Sequence, residues 1–316
     1  MANFSEQYSE TISAKVAEIM SDPDLVKKAV LREATSVVSG RITKRFFEDV
    51  YEAIYSKDDL ARRPFLNIGP GSFRHPMWRT TDKKYDDVSW TEIRRGVKQD
   101  SVDYYWDIYS ADPLGEKDGF FKVIYSSHVI EHLFPQDIGF MMLEIKRLLE
   151  PGGVVRIVCP DVEQMANAYK VEDWPFFLNY LIAKTGRHKT PMGILSRESQ
   201  KAMSAEFLLE YISLLTNKQN PFCLDKDQCV DFLAKYGDIY KGFDDAVQFS
   251  SREVNKTVGG HVNWFTADKL IRIFRDAGFS RVEVSGYQKS KVAILRDARY
   301  FDRTDPEMSV FIEATK

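Results

Sequence analysis

An α/β protein built on a parallel sheet is the fold class this sequence predicts, and three features between Phe121 and Asp161 predict it. Residues 122–126 hold the apolar run Val123-Ile124-Tyr125, the pattern of a strand buried on both faces. Residues 138–149 then set Phe140, Met141, Leu143, Ile145, Leu148 and Leu149 at helical spacing, so one stripe of that helix is apolar. Glu150-Pro151-Gly152-Gly153 breaks the helix, and residues 154–159 read as a second buried strand. Strand, crossover helix and strand make a parallel βαβ unit. Ligands of open α/β sheets bind outside the carboxyl ends of the strands. Those ends are Ser126-Ser127-His128 and Pro160-Asp161.

The first 60 residues read as helical. Ser21-Asp22-Pro23-Asp24 is a helix start with proline in an early position, and Leu25, Val26, Ala29 and Val30 follow as an apolar stripe. A further helix is expected over 43–55. This layer packs on the sheet or closes over the site, or equally offers a surface for a homodimer. Residues 64–71 (PFLNIGPG) form a short apolar strand running into a glycine turn, where the absent Cβ lets backbone approach a ligand closely. Asp82 stands at the end of a second expected strand, where a carboxylate can accept from ribose hydroxyls. Residues 102–107 (VDYYWD) read as a third strand ending on a second carboxylate, Asp107. Beyond the fifth strand, residues 171–259 form an insert that the minimal sheet does not need. Its apolar stripes predict helices over 174–184, 199–215 and 226–236. Thr266 caps a helix that runs to Ala277 and is ended by Gly278. Residues 281–287 and 309–314 read as a closing antiparallel hairpin, with an exposed charged loop over 297–306.

Composition narrows the function classes. The 316 residues carry a formal net charge of -3, so no basic footprint points to nucleic acid. No apolar run approaches the ~20 residues of a membrane span, and the polar start lacks a signal-peptide core. A cytoplasmic protein without a membrane partner is expected. Its length suits one large domain, or one domain plus a cap, because chains beyond ~250–300 residues tend to split. Cys159 reads as a plain buried thiol. Cys223 and Cys229 are too far apart for the tight pairs of zinc sites.

The ordered set LNIGPG, Asp82, YYWDI, VIYSSHVIEHL and LLEPGGVVRIVCPD resembles the sequential motifs of class I S-adenosylmethionine-dependent methyltransferases. The segment HVNWFTADKLIRIFRDAGFSRVEVSGY is similar to that family's closing segment. The likeness covers roughly residues 64–165 and 260–316. It implies a Rossmann-like seven-stranded, mostly parallel sheet of order 3-2-1-4-5-7-6 with the last strand antiparallel. The core would then be 61–170 and 260–316, with the N-terminal helical region at 1–60 and the mainly helical insert at 171–259 as a lid. It also implies S-adenosyl-L-methionine as cofactor. Gly69 and Gly71 would pass under its methionine end, and Asn67 stands where the family commonly has an acidic residue. Asp82 would take the ribose hydroxyls and Asp107 the adenine amine, with Ile108 against the ring. Ser126, Ser127 and His128 would line the floor beside the sulfonium. Phe73 stands where a third glycine often appears.

Transfer of a methyl group to oxygen or to a protonated nitrogen needs orientation and a proton acceptor. His128, His261 and Asp161 are the candidates for that base. Each also has a plain structural reading: a helix cap for His128, a backbone bond for His261, and an N-cap for Asp161. His128-Val129-Ile130-Glu131-His132 spells HxxEH, so a zinc hydrolase is the minor alternative. That motif belongs inside a long helix, whereas here it sits at a strand-to-helix corner, and no metal ligand is assigned. The expected partner is a small or medium-sized acceptor. An anionic one is the sharper reading of Lys184, Arg187, His188 and Lys189, a solvated loop the plainer one. A catalytically inactive cofactor-binding subunit on the same fold is the alternative from another class.

Overall fold

The computed structural model describes residues 50–84, 102–177 and 195–316. The helix expected from Ser21, most of the one over 43–55, and the cluster at Lys184, Arg187, His188 and Lys189 lie outside those residues. The chain divides into two compact units, Met1–Leu60 and Ala61–Lys316. In the first, residues 50–54 are helical. Among the described residues, all of the strands belong to the second.

Seven strands form one sheet of order β3-β2-β1-β4-β5-β7-β6. They are β1 Phe65–Ile68, β2 Trp78–Asp82, β3 Tyr104–Tyr105, β4 Phe121–Ser127, β5 Leu149–Pro160, β6 Arg281–Val284 and β7 Ser309–Thr315. The first five pair in parallel, while β7 runs antiparallel to both β5 and β6. This is the order that the family resemblance implies. Helix α1, Pro135–Leu148, crosses from β4 to β5 and buries Ile138, Met141, Met142, Ile145 and Leu148. It ends where Leu149 turns extended ahead of Pro151, which cannot continue a helix. Gly152 then takes φ +80°, a conformation that side chains with a Cβ rarely adopt.

Third-strand pairing is shorter than the expected 102–107. Only Tyr104 and Tyr105 pair, with Thr81 and Asp82. The flanking aspartates make local bonds instead. Asp103 accepts from the Thr80 amide at 2.9 Å, and Asp107 caps the 3-10 turn Ile108–Ser110.

Helix α2, Val162–Lys170, follows β5, and the insert adds α3 Arg197–Glu210, α4 Lys226–Ala234, α5 Ile239–Gln248 and α6 Arg252–Val258. Of the helix expected over 174–184, only the first turn lies among the described residues. The insert has its own core: Phe207, Leu208, Cys229, Phe232, Phe243 and Val247 pack with Met165 of α2 and with Trp264. Helix α7, Ala267–Asp276, carries the expected cap, Thr266 accepting from the Lys269 amide at 3.2 Å. Gly278 follows at φ +79°.

One expectation needs correction. The loop over 297–306 is charged but only partly exposed: Asp297, Phe301 and Asp302 are buried, whereas Arg303 and Thr304 face solvent. Asp302, 0% exposed, holds Arg156 of β5 through Nη2 at 2.6 Å, and Glu313 of β7 holds its Nη1 at 2.8 Å. A guanidinium inside a sheet needs carboxylates brought to it, and this loop supplies one of them. Phe301 completes an aromatic cluster with Phe73, Trp78 and Tyr125. Phe73 therefore serves as a packing residue where the family often has glycine.

Candidate active site

The carboxyl ends of β1, β2, β3 and β4 lie side by side, and each carries an expected residue. Gly69 follows β1 at φ +67° and donates its amide to Thr81 O at 2.9 Å, which binds the turn to β2. A Cβ at Gly69 would stand 2.2 Å from Val129 Cγ2. The glycine turn therefore packs directly against the corner after β4, and no other residue type fits that contact. Gly71 also has positive φ, +51°. Asn67 lies inside β1, buried, in register with Thr80 and Tyr125.

Asp82 ends β2. Its Oδ1 accepts from the Lys83 amide at 2.8 Å, and its backbone carbonyl accepts from Trp106 N at 2.9 Å, linking it to the residues just after β3. Burial pushes its carboxyl up to about 6, against the opposing pull of the Lys83 amide and of Arg74. Asp107 accepts from Tyr109 N at 3.0 Å, and its Oδ2 lies 3.4 Å from Lys83 Nζ. Ile108 is buried in the core cluster beside Trp106. Two carboxylates and two positive-φ glycines therefore share one edge of the sheet. That edge offers carboxylate acceptors to hydroxyl or amine donors.

At the end of β4, Ser126 bonds Ile68 O at 3.3 Å and Ser127 closes the strand. His128 leaves the sheet at φ +55° and donates its amide to Val158 O of β5 at 2.8 Å. Its Nε2 lies 3.0 Å from Ser309 Oγ, the hydroxyl that in turn donates to Asp305 O at 2.8 Å. The HxxEH residues are not on one helical face, because the chain turns at His128 and forms only a 3-10 turn, Ile130–His132. An inverted-zincin pairing of His128 with His132 therefore has no helix to stand on.

A different grouping appears instead. Glu131, 1% exposed, is surrounded by imidazoles. His128 Nδ1 lies 3.2 Å from Glu131 Oε1, and the His132 and His261 rings meet edge to face at 4.8 Å. Burial alone would raise the Glu131 carboxyl. The close approach of the His128 ring and the charges of His128, His132 and His261 outweigh it and hold the group at about 2. His132 donates Nδ1–H to Gly260 O at 3.0 Å, and His261 donates Nδ1–H to Tyr211 O at 2.7 Å. Desolvation lowers His261 to about 4, with the neighbouring His132 acting in the same direction and Glu131 opposing, so at neutral pH its Nε2 holds a lone pair. Two of the three expected bases, His128 and His261, thus meet around Glu131. The third, Asp161, is the N-cap of α2. Its oxygens accept from Glu163 N at 3.1 Å and from Gln164 Nε2 at 3.2 Å, and burial raises its carboxyl.

The model of the family described as "Methyltransferase domain" matches residues 88–157, a stretch that takes in Asp107, the Ser-Ser-His corner and β5 up to Ile157. Among solved structures, the chain is similar to an S-adenosylmethionine-dependent methyltransferase from Mesorhizobium loti. That match has 15% identity and a TM-score of 0.35, over 80% of this chain and 90% of the other. It is also similar to one from Archaeoglobus fulgidus, at 12% identity and TM-score 0.32, over 80% and 85% of the two chains. PigF with SAH matches at 14% identity and TM-score 0.33, over 87% of this chain and 64% of that one. No curated protein matches the sequence. Among the described residues, no helix is long and apolar enough to cross a membrane. The matched domain model thus covers residues 88–157, and the 3-2-1-4-5-7-6 sheet is the order that the resemblance to class I S-adenosylmethionine-dependent methyltransferases implies.

Proposed function

We propose that the protein transfers a methyl group from S-adenosylmethionine to an oxygen or nitrogen of a small or medium-sized acceptor. The observation that carries this reading is the packing of the Gly69 turn against Val129, beside Asp82 and Asp107. It supports a cofactor site at the edge where Gly69, Gly71, Asp82 and Asp107 stand. Asn67, Gly69 and Gly71 would hold the methionine end, Asp82 the ribose, Asp107 and Ile108 the adenine, and Ser126, Ser127 and His128 the floor. S-adenosylmethionine, when bound, supplies an electrophilic methyl on a positive sulfur, so placement of the acceptor in line at about 3–3.5 Å provides most of the acceleration.

The chain's own residues then have two tasks. They orient the acceptor, and they receive or release its proton. The Glu131-centred cluster serves the second task, since it offers the Nε2 atoms of His132 and His261 next to a buried carboxylate. Tyr211, at the end of α3, holds His261 through its carbonyl, so the insert borders this cluster, as a substrate lid would. Three free thiols accord with a reducing, cytoplasmic setting.

The test is incubation with methyl-labelled S-adenosylmethionine and a fractionated small-molecule extract. Label should appear in a small molecule at oxygen or nitrogen, and His261→Ala should lower its rate at least tenfold with cofactor affinity retained. Firm S-adenosylhomocysteine binding with no transfer to any fraction would instead identify a cofactor-binding subunit without activity.

A further inference from the structure

We propose that Glu131, His132 and His261 bind one divalent first-row transition cation of the zinc type. A ligand atom from each of the three lies within 4.8 Å of the others. Tetrahedral ligands at bond lengths of about 2.0–2.2 Å stand about 3.3–3.6 Å apart, so binding draws the group together by about an ångström.

Several independent features favour an ion here over a plain structural cluster. The Glu131 side chain is 1% exposed, yet neither carboxylate oxygen receives a well-aligned hydrogen bond. Its nearest nitrogen, His128 Nδ1, approaches Oε1 alone, at 3.2 Å. A buried carboxylate left in that condition is costly unless a cation completes it. Both histidines donate Nδ1–H to backbone carbonyls, Gly260 O and Tyr211 O, which settles the tautomer and leaves Nε2 as the ligating atom. That is the usual arrangement around metal-bound imidazoles.

The two segments that supply the ligands are also fastened together. Val262 N donates to Glu131 O at 2.9 Å, Asn263 Nδ2 donates to Leu133 O at 3.1 Å, and Tyr109 OH donates to His132 O at 2.6 Å. Two imidazoles and a carboxylate suit zinc, iron, cobalt or manganese better than calcium or magnesium. Both rings are partly exposed, so the set is open on one side, unlike a closed structural site. His128, the first residue of HxxEH, stays outside the ligand set and faces Ser309.

The role of such an ion rests on the proposed methyl transfer. With the ion bound, the Nε2 lone pairs of His132 and His261 are engaged on it and no longer take the proton themselves; an acceptor oxygen on its open side would instead lose its proton to water at lower pH. The new O–CH3 bond would then form as the S–CH3 bond breaks, with that electron pair remaining on sulfur. The acceptor class this favours is one with two neighbouring oxygens, such as a vicinal diol or a hydroxy acid, able to chelate.

Binding is tested on chelator-treated full-length protein by calorimetric titration with Zn2+ alone, and by the visible absorption that develops with Co2+ alone. One equivalent should bind. His132→Ala and His261→Ala should each weaken it roughly tenfold or more, while His75→Ala should leave it unchanged. No saturable uptake by the wild type, or uptake indifferent to both substitutions, overturns the proposal. The wild-type titration decides even where a variant fails to fold. S-adenosylhomocysteine titrated into the same preparations separates the two readings: cofactor binding without metal removes the ion and leaves methyl transfer standing. Metal binding without cofactor keeps the ion site but withdraws its catalytic role.

Discussion

Asp82 shows how a residue's function and its cost to stability can be opposed. Burial lifts its carboxyl to about 6, above the ~3.9 of an unfolded chain. The folded state thus binds the proton more tightly. Asp82 therefore contributes most to stability below about pH 4, and that contribution is lost as pH rises through about 4 to 6. Asp82→Asn should make the ligand-free protein more stable at pH 7 by about 1–2 kcal/mol, with the advantage gone at pH 4, as measured by urea unfolding at the two pH values. Ribose recognition needs the ionised form, so wild-type affinity for S-adenosylhomocysteine should fall as pH drops below about 6. The Asn variant should bind weakly and without that pH dependence. Gly69 makes a simpler case. Gly69→Ala places a Cβ against Val129 and forces a side chain into the left-handed region, which costs about 1–2 kcal/mol before any clash is counted. Both the denaturation midpoint and cofactor affinity should fall.

At the scale of elements, the buried apolar runs and turn signals made the sheet legible. Strands β1, β4 and β5, helix α1 and the capped α7 stand within a few residues of where periodicity puts them. Strand order beyond the single βαβ unit came from family resemblance, because no local pattern encodes which strands are neighbours. The misread element is the loop over 297–306, whose charges looked solvated. What it needed was a reason to be inside, and that reason sits 146 residues away at Arg156, in the middle of an apolar strand. An arginine in a run such as Val154-Val155-Arg156-Ile157-Val158 is itself a signal that carboxylates must converge on it. Asp302→Ala should therefore cost about 3–5 kcal/mol in chemical denaturation, since it leaves a buried guanidinium short of its bidentate partner. A value near zero would mean that Glu313 and the Gly286 carbonyl suffice. The grouping of His261 with Glu131 and His132 was hidden in the same way. Each was visible as a titratable residue, but their meeting depends on the chain re-entering the sheet unit after the insert.

For the whole molecule, the arrangement has a simple division of labour. On the proposed function, the sheet's carboxyl edge would supply fixed cofactor contacts from strand ends, whereas residues 260–263 and Tyr211 would bring the acceptor-side groups from across the insert. The two sides are tied together just beyond the corner of Ser127, His128 and Val129, where Val262 N donates to Glu131 O at 2.9 Å and Asn263 Nδ2 to Leu133 O at 3.1 Å. The central claim is that Gly69, Asp82, Asp107 and this corner receive one nucleoside cofactor. Its most direct test is calorimetric titration of the full-length protein with S-adenosylhomocysteine, in the wild type and in the Asp82→Ala and Asp107→Ala variants. Binding of one equivalent by the wild type, weakened at least tenfold by each substitution, is the predicted result. Wild-type affinity in both variants, or no binding by the wild type, would contradict it.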